Sequence, residues 1–326
     1  VTTPLRIADI GVTQSPPIRG NGSTQFPSHH SCSFAYFQTV TAILSLLRED
    51  LNFLLTNRIP RRWLTQLAGR ISRIESPLFT RLSIPVWSYF GGDLELEEAE
   101  TQRFASLHAC FTRRLRPGVR VVDPTPDVIV SPCDAVVGAS GTIKEGLLVQ
   151  AKGLNYRLTE LLGDPELAAR HAGGRYVTLR LKSTMYHRFH APTHARIQRV
   201  RYISGDTWNV NPVAVKRIER LFCRNERAVI ELDLPDECDA LTLVPVAAIL
   251  VASIRLHAIP VAFNLRYAGA EVVHCSATVS KGDELGFFEN GSTIIVLTSA
   301  GFQHSENVVT GTTIRMGQPL FKRLAH

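Results

Sequence analysis

Beyond Val119 the chain changes texture, and that change constrains the fold more than any other feature. Short apolar and β-branched runs recur, each closed by Gly, Pro, Asp or Asn: Val128-Ile129-Val130, Val136-Val137, Leu147-Leu148-Val149, Tyr176-Val177-Thr178-Leu179, Val229-Ile230, 241–254 and Ile294-Ile295-Val296-Leu297. Runs of this kind bounded by turn formers read as strands. Two helices are expected among them, over Leu158 to Leu162 and about Val213 to Leu221. Upstream the periodicity is helical. Phe37, Val40, Leu44, Leu47, Leu51 and Leu54 recur at alternating steps of three and four, and Pro60 ends that helix. A second short helix runs through Trp63, Leu64, Leu67 and Ile71. Ser76-Pro77 opens a third segment, and the acidic run Asp93 to Glu100 opens another that includes Phe104, Leu107 and Phe111. The expectation is an α+β protein with a disordered tail over 1–33, rich in Pro, Gly, Ser and Thr. Amphipathic helices follow over 34–116, then a mostly antiparallel, β-rich catalytic body over 117–326.

The 36 basic residues outnumber the 29 acidic ones, giving a net charge of +7 that favours anionic partners. A mildly basic solubilising surface explains the charge equally well. No aromatic and basic platform accompanies it, so nucleic-acid binding is not expected. Arg58, Arg61, Arg62, Arg70 and Arg73 crowd around Trp63. Basic residues beside Trp and Leu suit a helix lying on an anionic bilayer, where each is worth about 1 kcal/mol. A helical hairpin packed on the body is the alternative. The six cysteines form no CxxC pair, which fits a reducing compartment and argues against zinc, iron–sulfur and disulfide frameworks. No signal peptide is visible, and the apolar stretches 34–47 and 240–254 fall short of the roughly 20 residues a spanning helix needs.

Three separated segments could carry chemistry. Ser292 follows Gly291, which has no Cβ to block approach of a hydroxyl to the preceding carbonyl, and both precede the apolar run 294–297. The tetrapeptide is not decisive, since Asn21-Gly22-Ser23-Thr24 repeats it in the tail. His187, His190 and His194 have a spacing that converges on a metal only within a helix, and the strand-like lead-in and Pro192 argue against one. An acid or base role suits them better. Asp134 sits in a turn between apolar runs, where it could serve its own backbone or orient an imidazole. If the fold joins them, Asp134, His190 and Ser292 have the logic of orienter, base and nucleophile.

Several segments resemble the bacterial membrane-associated phosphatidylserine decarboxylases. They are Trp63-Leu64-Thr65-Gln66-Leu67-Ala68-Gly69, Ala151-Lys152-Gly153-Leu154-Asn155-Tyr156, Tyr186-His187-Arg188-Phe189-His190-Ala191-Pro192, Leu221-Phe222-Cys223-Arg224-Asn225-Glu226-Arg227, Gly291-Ser292-Thr293 and Met316-Gly317-Gln318-Pro319-Leu320. The resemblance implies a proenzyme that cuts itself between Gly291 and Ser292, with Asp134 and His190 activating Ser292 against the Gly291 carbonyl. It implies a pyruvoyl group made from Ser292 and a large and a small fragment that stay together. It further implies phosphatidylserine as substrate, decarboxylated through a Schiff base, with His187 as proton donor to the carbanion. A homodimer, peripheral on the cytoplasmic face of an anionic phospholipid membrane, is implied as well. The sequence departs from the family pattern at Ala135, Ser183, Met185 and Asn290. The rivals are a Ser/His/Asp hydrolase acting on an external lipid or ester, which lacks a GxSxG elbow, and a non-catalytic membrane-binding relative.

Overall fold

The structure is a computed structural model that describes residues 50, 61–151, 154–235, 239–248, 253–264, 267–289 and 292–324. The tail over 1–33, the amphipathic helix over 37–54 and Arg58 lie outside the described residues. Seven helices are described: α1 (Arg61–Ser72), α2 (Pro77–Gly91), α3 (Leu107–Phe111), α4 (Leu158–Leu162), α5 (Pro165–Arg170), α6 (Pro212–Arg217) and α7 (Leu221–Arg224). Seventeen strands follow the β-branched runs. They are β1 (Val128–Val130), β2 (Ala135–Thr142), β3 (Leu147–Ala151), β4 (Leu154–Arg157), β5 (Arg175–Arg180), β6 (Arg188–His190), β7 (Ala195–Ile203), β8 (Arg227–Asp233), β9 (Ala240–Ala247), β10 (Ser253–Leu256), β11 (Ala262–Asn264), β12 (Val272–Val279), β13 (Glu284–Phe288), β14 (Ser292–Thr298), β15 (Phe302–His304), β16 (Thr313–Ile314) and β17 (Pro319–Arg323).

Eight strands form one sheet in the order β12-β7-β8-β9-β14-β5-β2-β16, and every pairing in it is antiparallel. One face packs against a four-stranded sheet, β11-β10-β13-β6, and a three-stranded one, β1-β17-β15. The opposite face is covered by α4 to α7 and the β3-β4 hairpin. Strand β14 is therefore apolar on both sides. Ile294 and Val296 join the sheet-side core, Ile295 and Leu297 the helix-side core, and all four are fully buried. Burying each such side chain stabilises the fold by roughly 1.5–3 kcal/mol. Within the four-stranded sheet, neighbouring strands approach closely at Gly286 in β13. A Cβ there would lie 2.0 Å from the Arg255 carbonyl oxygen, so only glycine lets β13 and β10 approach.

The expected α+β architecture is the one found, with local differences. Ser76 caps α2 by accepting from the Phe79 N–H, and Pro77 occupies the first turn. The acidic segment does not form one helix through to Phe111. A short 3₁₀ turn spans Leu96–Glu98, and a new helix starts only after Ser106, whose hydroxyl accepts from the Ala109 N–H. Glu95 and Glu98 are drawn out by ion pairs to Arg315 and Arg120, which competes with continuous helix. The helix expected over 213–221 ends at Arg217, where Ile218 turns extended, and a new helix starts at Leu221 after Arg220 in a left-handed conformation, φ 53°. The apolar run 241–254 supplies two strands, β9 and β10, in different sheets.

Candidate active site

Sheet register gathers the separated sequence segments. Thr293 on β14 pairs with Arg180 on β5, Arg180 with Val136 on β2, and Val136 with Thr313 on β16. Ser292 and Ala135 lie one step further along, toward the same end of the sheet. Their backbones are two strand spacings apart, or ~10 Å. Asp134 immediately precedes that end of β2, and the chain leaving β5 there runs into Tyr186 and His187. The His187 carbonyl accepts from the Phe288 N–H at 3.0 Å, which ties this turn to the segment leading to Ser292. Gly291 and Asn290 lie outside the described residues, and Ser292 enters by its backbone, paired with Ala247.

Asp134 is fully buried and held from three directions. Arg120 donates through Nε at 3.0 Å to Oδ1 and through Nη2 at 2.5 Å to Oδ2. Arg315 donates to Oδ2 at 3.1 Å, and the Met316 N–H to Oδ1 at 2.8 Å. Glu98 and Glu95 complete the cluster, the former 2.6 Å from Arg120. These charge-assisted bonds raise the pKa of both guanidinium groups against the opposing effect of burial. No hydrogen bond joins Asp134 to His190 among the described residues. Their connection runs through backbone, since His190 N–H donates at 2.8 Å to the carbonyl of Pro132 in the Asp134 turn.

The two histidines are prepared differently. Nδ1 of His190 lies 2.8 Å from the Gly282 carbonyl and must donate to it, so Nε2 carries the lone pair and accepts from the Tyr186 hydroxyl at 2.9 Å. Burial pulls its pKa down. His187 is fully buried, and its Nδ1 donates at 2.7 Å to the Met185 carbonyl. Its Nε2 has no partner among the described residues. Its ring lies 4.0 Å from that of Phe111, which stacks in turn on Trp87 of α2. Burial in this apolar stack lowers the His187 pKa to about 3, leaving a neutral imidazole with a free lone pair.

The front helices reach the same end of the molecule. Arg73, just beyond α1, pairs at 2.5 Å with Glu289, three residues before Ser292. The pKa of Glu289 falls to about 2 despite burial because His108, 3.5 Å away, and the hydrogen-bonded Arg73 attract its charge. Arg70 and Trp63 are exposed, while Arg61 and Arg62 open α1. A stripe along α2, made of Leu78, Leu82, Val86, Tyr89 and Phe90, is more than half exposed at every position.

Arg120, Arg315 and Phe111 were not selected by sequence reasoning. Arg315 adjoins the Met316-Gly317-Gln318-Pro319-Leu320 segment and could have been found from it, whereas Arg120 stands in a stretch without a motif. Among the described residues no cluster of His, Cys, Asp or Glu is placed to hold a metal ion. The four described cysteines are free. No helix among the described residues is long and apolar enough to cross a membrane.

The phosphatidylserine decarboxylase family model matches residues 107–322. A phosphatidylserine decarboxylase proenzyme of Brevibacillus brevis (strain 47) is 33% identical over 276 residues, covering 83% of this chain and 97% of that relative. A protein of the same name from Anaeromyxobacter sp. (strain K) is 36% identical over 269 residues, covering 80% and 94%. A third, from Acinetobacter baylyi, is 36% identical over 256 residues, covering 78% and 88%. The match spans the turn of Asp134, both histidines, β14 and the Arg315 segment, so the chain belongs to the phosphatidylserine decarboxylase family, a family of carboxy-lyases.

Proposed function

We propose that this chain is a proenzyme that cuts itself between Gly291 and Ser292 and then decarboxylates phosphatidylserine to phosphatidylethanolamine. The observation that carries the reading is the convergence, at one end of β14, β5 and β2, of Ser292, the Asp134 turn and the two buried neutral histidines. A neutral His190 with its lone pair at Nε2 can take a hydroxyl proton from Ser292 once Tyr186 yields its place, and the buried charge cluster around Asp134 fixes the turn beneath it. Attack on the Gly291 carbonyl exchanges the 291–292 amide for an ester on the Ser292 oxygen; elimination of the Gly291 carboxylate then parts the two pieces, and hydrolysis of the resulting dehydroalanine with loss of ammonia would leave a carbonyl at position 292. A pyruvoyl group at position 292 would be held by the start of β14 and would supply the electron sink that decarboxylation of an amino acid headgroup requires.

The site suits such a group. It lies at the start of the central strand β14, at the end of the sheet to which the turn of His187 is tied, and the Nε2 of that histidine is buried and unpartnered among the described residues. His187 cannot donate from that atom in its resting form. To serve as a proton donor it would first have to take up a proton at Nε2, an uptake that its burial opposes. The test of processing is the denatured mass of the protein beside a Ser292→Ala variant. Two fragments from the unaltered chain and one intact chain from the variant are expected. An intact chain in both samples would sink the self-processing reading and favour the hydrolase or non-catalytic alternatives.

The exposed stripe of α2, beside the basic α1, is the surface we assign to the bilayer that holds the substrate. A Leu78→Glu, Leu82→Glu double variant is expected to lose affinity for phosphatidylserine vesicles by about tenfold or more, since each buried leucine is worth at least ~1.5 kcal/mol. Equal flotation of the variant and the unaltered protein with vesicles would refute this assignment.

A further inference from the structure

On the helix side of the eight-stranded sheet, a cavity of about 570 Å³ opens between β2, β5, β14 and α6. Val136, Val210, Val215 and Phe222 give it apolar walls, and Thr293, the neighbour of Ser292, forms part of its lining. Its volume is that of a small-molecule site. Two cations line it, Arg180 from β5 and Lys216 from α6. Gln150 also reaches it, but its amide is occupied by the Val215 and Ile218 carbonyls and the Leu221 N–H.

Arg180 stands apart from the other buried or half-buried arginines. Arg113 and Arg227 are tied to backbone carbonyls, Arg120 to Asp134 and Glu98, and Arg188 to Glu284. Arg180 has no carboxylate or carbonyl partner among the described residues, although burial lowers its pKa. Thr293 Oγ1, directly opposite it on β14, is likewise buried and unpartnered. Arg180 is half-buried, and a partly desolvated guanidinium without a counter-charge carries a cost that an anion in the cavity offsets.

We infer that Arg180, with Lys216 beside it, binds the phosphodiester of the substrate, making this cavity the seat of the headgroup and of the glycerol end of the lipid. The inference rests on the decarboxylase reading and names the group that anchors the substrate. Charge bookkeeping selects the phosphodiester over the serine carboxylate. The carboxylate loses its charge as CO₂ leaves, so an arginine upon it would stabilise the starting state more than the transition state and slow the reaction. The phosphodiester keeps its charge throughout. An arginine there contributes the same binding before, during and after the bond breaks. Thr293 lines the cavity and adjoins position 292 in the chain, which sets the cavity at the end of β14 where the amine would react.

The experiment compares full-length protein with Arg180→Gln and Arg180→Lys. Denatured masses come first, with normal fragments expected in all three. The Gln variant should raise KM for phosphatidylserine in mixed micelles roughly ten- to hundredfold, the worth of a charged hydrogen bond, with kcat changed by less than about threefold. Lysine should restore part of the loss. Equilibrium binding of a short-chain phosphatidylethanolamine, which keeps the phosphodiester and lacks the carboxylate, should weaken by the same factor. This binding needs no turnover, so it tests the anion site even if the decarboxylase reading fails. Unchanged phosphatidylethanolamine binding overturns the inference. Paired with a raised KM, that result moves Arg180 to the carboxylate. A drop in kcat at constant KM also overturns it.

Discussion

Replacing His187 with glutamine is expected to leave the chain cut normally while turnover falls roughly 10²–10⁴-fold, the usual worth of a positioned acid–base group. Glutamine can keep a hydrogen bond to the Met185 carbonyl and fill much of the space against Phe111, but it cannot take up and return a proton at the position of Nε2. The loss should therefore fall on kcat. The same variant carries a signature in acid stability. In the unfolded chain the imidazole titrates near its ordinary 6.5, and in the fold its pKa is about 3. Between those values the unfolded state binds more protons, so His187 costs no stability above about pH 6.5 and a growing amount as the pH falls toward 3. Denaturation midpoints from pH 7 down to 4 should fall less steeply in the variant. Some slope remains, because buried His171 has its pKa lowered to about 4 by the same cause. Turnover within a few-fold of the unaltered enzyme would remove His187 from the chemistry.

The second large effect concerns Asp134. Asp134→Ala strands the Met316 N–H and leaves Arg120 and Arg315 facing only Glu98 and Glu95. Breaking a buried ion pair from one side costs about 3–5 kcal/mol, and the lower figure applies here because two carboxylates remain. The same substitution loosens the turn whose Pro132 carbonyl accepts from the His190 N–H. Precursor is expected to accumulate uncut. Asp134→Asn can keep the Met316 contact while losing charge, so it should be intermediate in denaturant midpoint. A variant lacking the carboxylate that is cut at the normal rate would show that Asp134 has a structural role only.

Much of this architecture was legible in the residues. The run Ile294 to Leu297 is apolar at every position, as a strand buried on both faces requires, and β14 is such a strand. Ser76-Pro77 announced a helix start for the same reason it makes one, a hydroxyl acceptor followed by a residue with no N–H to satisfy. The illegible parts depend on distant partners. Glu95 and Glu98 look like helix formers until Arg315 and Arg120, remote in sequence, draw them away. Ile218 and Arg220 carry no mark of the extended and left-handed backbone they adopt between α6 and α7. In the candidate site, the histidines and Asp134 could be named from their segments, but their protonation could not. The free lone pair of His187 follows from a carbonyl on one side and Phe111 on the other, which only the fold brings together.

The position of β14 bears on how long the finished protein lasts. After a cut between Gly291 and Ser292, the short piece would supply the stave between β9 and β5, together with β15, β16 and β17 in two sheets. Folding instructions written for one chain would then be divided between two, and neither peptide alone holds a closed layer. Unfolding becomes a one-way event. Chains parted by heat or denaturant have no covalent tether to restore their register, so activity should not return on cooling. The working lifetime of the mature form is then governed by the rate at which the sheet first opens and not by the free-energy gap that guided the precursor to its fold.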